Sequence, residues 1–144
     1  MRLLQAMAGA PVGGAENFFS RLAPALARAG VEQHVVMRPE PVREELLRES
    51  GIPVTTARFG ARLDFTTRPR IRAEIEAFRP DIVLSWMNRA TIHCPPGAKP
   101  PGFVHLATPR GYYAAKYYRR CDHLVCTTDH LAAHFAAAGW AAER

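Results

Sequence analysis

The chain has 144 residues, 48% of them hydrophobic, and no low-complexity run, which excludes a disordered or fibrous class and predicts one globular domain over 1–144. The formal net charge is +6, and only Lys99 and Lys116 among the basic residues are lysines; this balance suits anionic partners without choosing among sugar phosphates, nucleotides, anionic lipid and nucleic acid. No stretch approaches the roughly 20 apolar residues that span a bilayer, and Cys94, Cys121 and Cys126, an odd count without framework spacing, read as free thiols of a reducing compartment.

Arg2–Met7 reads as a strand and Gly9-Ala-Pro-Val-Gly-Gly14 as a turn into a helix from Ala15. The short apolar run after Met1-Arg2 is interrupted by Gln5 and leads straight into that helix, so a secretion signal is disfavoured. Phe18, Leu22 and Leu26 form the expected inward stripe, Pro24 predicts a kink, and Gly30 a stop. Val31–Met37 is a second strand, Pro41–Ser50 a helix with Pro41 near its start and Gly51 past its end, and Ile52–Phe59 a third strand. A loop with Arg58, Arg62, Arg68 and Arg70 leads to a helix whose stripe is Ile71, Ile75 and Phe78. Ile82-Val83-Leu84 has the continuous apolar character of a strand buried on both faces. Residues 88–94 form a short helix, and Pro95–Pro101 a surface loop. Gly102–Leu106 is a fifth strand, Arg110–Arg120 a helix, and His123–Thr127 a sixth strand. Asp129–Ala138 is a last helix with Leu131, Phe135 and Ala138 inward, closed by Gly139.

Strands separated by helix-length crossovers run parallel, so the expected fold is α/β: a doubly wound, Rossmann-like sheet of about six strands with helices on both faces. Ligands of such sheets bind beyond the carboxyl ends of the strands. The residues assigned to that edge are Gly9–Gly14, Trp86-Met87-Asn88, His105 and Thr127-Thr128. Asp81 and Asp122 fall at the opposite edge, where they serve turns.

The glycine loop is neither the spaced dinucleotide fingerprint nor a P-loop, which disfavours NAD binding and NTP hydrolysis. It is either a tight turn that packs strand on helix or a place where a ligand meets the backbone, with free N–H groups and the helix dipole favouring an anion. Glu16 in the first helical turn complements the dipole but repels a phosphate beside it. His105 is either a donor to a sugar or phosphate or a satisfied structural residue. Arg110–Arg120 interleaves cations with tyrosines, as a stacking surface or as a helix with solvated arginines would. Cys121-x4-Cys126-x3-His130-x3-His134 lacks the separation of a zinc finger and reads as strand plus helix, so no metal site is expected. No complete catalytic set gathers at the edge, and on its residues alone the domain looks like a binder.

Gly13-Gly14-Ala15-Glu16 after a first strand, Arg79–Ser85 leading a fourth, His105 ending a fifth and Cys121–Thr127 before a closing helix together resemble the N-terminal domain of family 4 glycosyltransferases, retaining enzymes of the GT-B fold that use nucleotide sugars. The resemblance covers essentially the whole chain. It implies that this domain binds the acceptor, a glycolipid, lipopolysaccharide or polysaccharide precursor. It puts Gly13 and Gly14 at the donor phosphates and reacting sugar, and His105 near the transferred sugar in a catalytic role. Glu16, Asn88, Arg110 and Lys116 become donor or acceptor contacts. Leu106 departs from the polar residue that many members carry after the histidine. The second domain, with its Glu-x7-Glu motif, is missing, and Glu32 and Glu40 lie in the wrong domain to replace it. The chain is therefore expected to be a piece or one half of a split enzyme, inactive alone, partnered by a C-terminal domain that holds most of the donor. No cofactor is expected beyond that donor. The implied location is cytoplasmic, with peripheral contact at the inner membrane face compatible with the basic edge. The alternative is a non-catalytic module for a nucleotide, sugar phosphate or nucleic acid, the last of these disfavoured.

Overall fold

A computed structural model describes residues 1–60, 64–97 and 102–144. Arg62 of the arginine-rich loop and residues 98–101 of the proline segment lie outside the described residues. The strands are β1 (Arg2–Met7), β2 (Glu32–Met37), β3 (Val54–Thr56), β4 (Ile82–Trp86), β5 (Val104–Thr108) and β6 (His123–Leu124). They form one sheet in the order β3-β2-β1-β4-β5-β6, and all five pairings are parallel. Strand order reverses between β1 and β4, so the carboxyl ends of these two strands flank the crevice that such a sheet offers to ligands.

The helices are α1 (Gly14–Arg28), α2 (Pro41–Glu49), α3 (Thr67–Phe78), α4 (Met87–His93) and α5 (Asp129–Ala137), with a 3₁₀ turn at Ala115–Tyr117. Alternation along the central strands feeds two cores. Leu4, Ala6, Val36 and Val83 pack with Ile71 of α3 and Ala90 of α4, while Met7, Val35, Met37 and Trp86 pack with Phe19 and Ala23 of α1 and Leu47 of α2. A third cluster joins Ala107, Tyr118 and Cys121 to Leu131 and Phe135 of α5. On the α1 side a buried polar thread is satisfied internally. The indole of Trp86 donates to Gln5, whose amide donates to Gln33, which in turn donates to the Ala23 carbonyl.

Several expectations are corrected. The inward face of α1 is Glu16, Phe19, Ala23 and Pro24, one residue away from the expected Phe18 stripe, and Phe18 is 43% exposed. Glu16 is tied beneath the glycine loop and fixes the rotation, and small Ala23 lets the helix approach the sheet. Strand β3 keeps only Val54–Thr56, because it is an edge strand and leaves the sheet toward Phe59. Strand β5 runs Val104–Thr108, two residues later than expected; the apolar run has no internal punctuation, and Pro109 ends it. Residues 110–120 are not a helix: their tyrosines form no single stripe, and Tyr118 alone is buried as an anchor. Strand β6 is cut to His123–Leu124, and Ala138 is exposed beyond α5. Asp81 and Asp122 do lie at the amino edge. Each cups the first free N–H of a neighbouring strand, Asp81 that of Arg2 and Asp122 that of His105, both at 2.7 Å.

Candidate functional site

The glycine loop connects β1 to α1 and is organised by two buried charged side chains. Glu16, 6% exposed, turns inward and accepts the Ala10 N–H at 2.8 Å. A Cβ at Gly9 would lie 2.7 Å from Glu16 and 2.9 Å from the Met7 methyl, and a Cβ at Gly13 would overlap the Glu16 carboxylate. Both glycines are thus required by the carboxylate they enclose. Gly14 differs: a Cβ there would meet nothing within 4 Å, so nothing in the chain's own packing demands a glycine. From α2, Arg43 is 5% exposed and donates to the carbonyls of Ala10 (3.2 Å) and Pro11 (3.1 Å) and to the Ser20 hydroxyl (3.3 Å). One ion therefore holds the loop's N–H side and the other its carbonyl side. Sequence reasoning missed Arg43, which sits on another helix and carries no motif.

Beside the loop, Phe18 lies 6.1 Å from Trp86 between ring centroids, and the Arg110 guanidinium lies 4.3 Å above Phe18 and 5.9 Å from Trp86. These three residues come from α1, the end of β4 and the segment after β5, and they make one platform at the carboxyl edge. Met87 (φ 59°) and Arg110 (φ 61°) both hold left-handed backbone just past strand ends. Non-glycine residues adopt that region at a cost, and such strain gathers at binding sites. Asn88, half-buried in the first turn of α4, lies two residues past Trp86 in the chain. Lys116 is exposed on the 3₁₀ turn with its ammonium 5.3 Å from the Tyr117 ring. Thr128 caps α5 by accepting the Leu131 N–H.

Asn88 also lines a cavity of about 790 Å³ between the start of α3, α4 and Tyr117, with Arg68, Arg72 and Arg89 on its walls. Asp64 at its rim is already engaged by the N–H groups of Gly60, Thr66 and Thr67.

His105 is not at this edge. It is the second residue of β5, level with Val83 of β4 and through it with Leu4 in the middle of β1, and it is fully buried. The shift of β5 by two residues moves Thr108 to the edge in its place. The His105 ring nitrogen Nε2 is 2.9 Å from the Ser85 hydroxyl, which is 2.9 Å from that of Thr91, and Thr91 donates to the Met87 carbonyl at 2.8 Å. Burial pushes the imidazole down to about 4, against the pull of the Asp122 carboxylate, so it is neutral at pH 7. The thiols of Cys94 and Cys121 are pushed up to about 12, chiefly by burial, and are poor nucleophiles. Among the described residues no group of three or more His, Cys, Asp or Glu side chains is placed to hold a metal ion.

The sequence pattern of Glycosyltransferase Family 4 matches residues 12–144. Two lipopolysaccharide core biosynthesis glycosyltransferases of Rhizobium meliloti (strain 1021) are similar: LpsD is 32% identical over 89% of this chain and LpsE 31% identical over 91%. The chain spans 37% and 38% of those proteins' lengths. Among solved structures, the lipopolysaccharide outer core galactosyltransferase WaaB in its apo form superposes over 99% of this chain and 44% of its own, with a TM-score of 0.72 at 16% identity. Anabaena Alr3699/HepE in complex with UDP-glucose gives a TM-score of 0.69 at 14% identity, over 99% of this chain and 42% of that one. These structural likenesses bear on the fold, and the sequence matches on descent: the chain belongs to glycosyltransferase family 4.

Proposed function

We propose that this chain is the acceptor-binding part of an enzyme that transfers a sugar, with retention of configuration, from a nucleotide sugar to a lipopolysaccharide-type or other glycolipid or polysaccharide precursor. The carrying observation is that one sheet edge gathers the Gly13-Gly14 turn, the Phe18–Trp86–Arg110 platform and the mouth of the arginine-lined cavity, in a chain of a sugar-transferring family. In the reaction the bond from the anomeric carbon to the diphosphate breaks and the diphosphate leaves with the electron pair. The acceptor oxygen bonds to the same face of that carbon and gives up its proton to the departing diphosphate.

In this reading the free N–H groups at the start of α1 meet the donor's charge, and the open space at Gly14 lets a ligand approach the backbone. Arg110 adds a fixed positive charge where the diphosphate develops its own. His105, buried and neutral, is a positioning residue: through Ser85 and Thr91 it braces the carbonyl of strained Met87 and so the start of α4 under Asn88. The donor is a substrate, held mainly by a second domain, and no other cofactor is invoked. The basic edge suits work at the cytoplasmic face of a membrane that exposes anionic lipid; no helix among the described residues is long and apolar enough to cross one.

The chain alone and the chain joined to a nucleotide-binding second domain are to be assayed with a panel of nucleotide sugars and a truncated lipopolysaccharide acceptor. Transfer is expected from the joined protein only. Failure of the joined, folded protein with every donor overturns this reading.

A further inference from the structure

We infer that the cavity between α3, α4 and Tyr117 is a subsite for an anionic sugar residue of the acceptor, one bearing a phosphate or carboxylate; this rests on the functional reading above. Its volume, about 790 Å³, is in the range that encloses a small ligand.

Three arginines converge on it from two helices, Arg68 and Arg72 from α3 and Arg89 from α4. Among the described residues none of the three pairs with a carboxylate, whereas Arg70 on the same helix is 3.7 Å from Glu74. Arg68 is steadied by donating to the Ile92 carbonyl at 3.1 Å. Arg68 and Arg72 are like charges one helical turn apart, an arrangement that works against the helix unless an anion sits between them. Arginine's planar fork suits phosphate and carboxylate alike.

A histidine and a tyrosine complete the lining beside the arginines. His93 lines the cavity and is 5% exposed. Its Nε2 lies 3.1 Å from the Gly60 carbonyl, which can only accept, so Nε2 carries the proton. Nδ1 is buried with no hydrogen-bond partner among the described residues. The Tyr117 ring on the same lining offers a face for the sugar's C–H side, and a ligand seated there would lie against the His93 side chain. Asn88, on the cavity wall and one residue past Met87, joins this subsite to the platform where transfer would occur.

The test titrates the chain with glucose 6-phosphate, inorganic phosphate, glucuronate and glucose, followed by NMR of arginine Nε–H, histidine ring and Asn88 signals. Glucose 6-phosphate and glucuronate are expected to shift the signals of Arg72, Arg89 and His93. Binding should weaken at least tenfold in R72E and R89E, be regained in R72K and R89K, and be absent for glucose. Inorganic phosphate binding as tightly as glucose 6-phosphate, without a His93 shift, would reduce the site to an anion hole and overturn the sugar assignment. Shifts confined to the glycine loop, or affinity untouched in folded R72E and R89E, would overturn it altogether. In the joined protein, unchanged KM for an anionic acceptor in those variants sinks this subsite and leaves the transferase reading standing. Binding here without any transfer does the reverse.

Discussion

At the scale of single residues, three glycines in one loop do different work. Gly9 and Gly13 make room for Glu16, and Gly14 makes room for nothing in the chain itself. Gly13→Ala is therefore expected to destabilise the fold by about 1–3 kcal/mol through overpacking. Gly14→Ala should leave thermal stability within about 0.5 kcal/mol of the parent while cutting transfer at least tenfold in the joined protein. Thermal melts and initial rates on the pair check this, and equal stability losses would show that Gly14 is structural after all. Arg43→Ala removes the donor to two loop carbonyls and is expected to cost about 2 kcal/mol by urea unfolding. His105 contributes a pH dependence of definite sign. Its pKa in the folded state lies near 4, below its ordinary 6.5, so the unfolded chain takes up the proton first on acidification. Stability from this group is thus present above pH 6.5 and is lost as pH falls toward 4, by at most about 3 kcal/mol. Unfolding free energies across that window, with the imidazole followed by NMR, check the sign; a ring that titrates near 6.5 in the folded protein refutes it. The turn and its glycines were legible in the sequence because glycines before a helical stripe leave few alternatives. Arg43 was not legible, being one arginine among many, brought to the loop by tertiary packing alone.

At the scale of elements, the strand and helix order was readable from apolar runs and from Gly and Pro punctuation, and the errors fall where punctuation is lacking. Between Phe103 and Thr108 nothing in the sequence marks where pairing begins; it begins at Val104, whose N–H donates to the Asp81 carbonyl, and the Asp122 carboxylate takes the next N–H, that of His105. That two-residue shift decides whether position 105 meets a ligand or the core. Residues 110–120 had the length of a helix but no 3.6-residue stripe, and tertiary contacts of Tyr118 with Phe135 hold them instead. For α1, the more apolar stripe, Phe18, Leu22 and Leu26, is not the one turned inward; the buried face is Glu16, Phe19, Ala23 and Pro24, with the Glu16 carboxylate held by the Ala10 N–H. Phe19→Ala is accordingly expected to cost about 3–5 kcal/mol. Phe18→Ala, 43% exposed, should cost under about 1 kcal/mol while freeing Arg110 from its ring. Denaturation of the two variants side by side separates the stripes, and a larger loss from Phe18→Ala would restore the stripe expected from sequence.

Across the whole molecule, backbone strain is not scattered. Among the described residues four non-glycine residues have left-handed backbone: Phe59, Met87 and Arg110 follow the carboxyl ends of β3, β4 and β5, and Arg79 caps a helix at the other edge. The amino edge is relaxed by Asp81 and Asp122, so the sheet concentrates its unfavourable conformations along the rim where ligands of this architecture bind. Arg110→Gly tests whether that strain is maintained for the side chain it carries. Glycine adopts φ near +60° without penalty, which should stabilise the fold by about 1 kcal/mol. Loss of the cation over Phe18 offsets this by about 0.5–1 kcal/mol, leaving thermal stability close to that of the parent. If the guanidinium serves sugar transfer, the joined protein should lose at least tenfold in kcat/KM, and Arg110→Lys, which keeps the charge but not the planar fork over the ring, should recover only part of it. Melting and kinetics measured on the same preparations decide the matter: a variant that transfers sugar as well as its parent would make Arg110 a surface ornament of a strained turn, whereas an equally stable but inactive one would tie the strain at this rim to transfer.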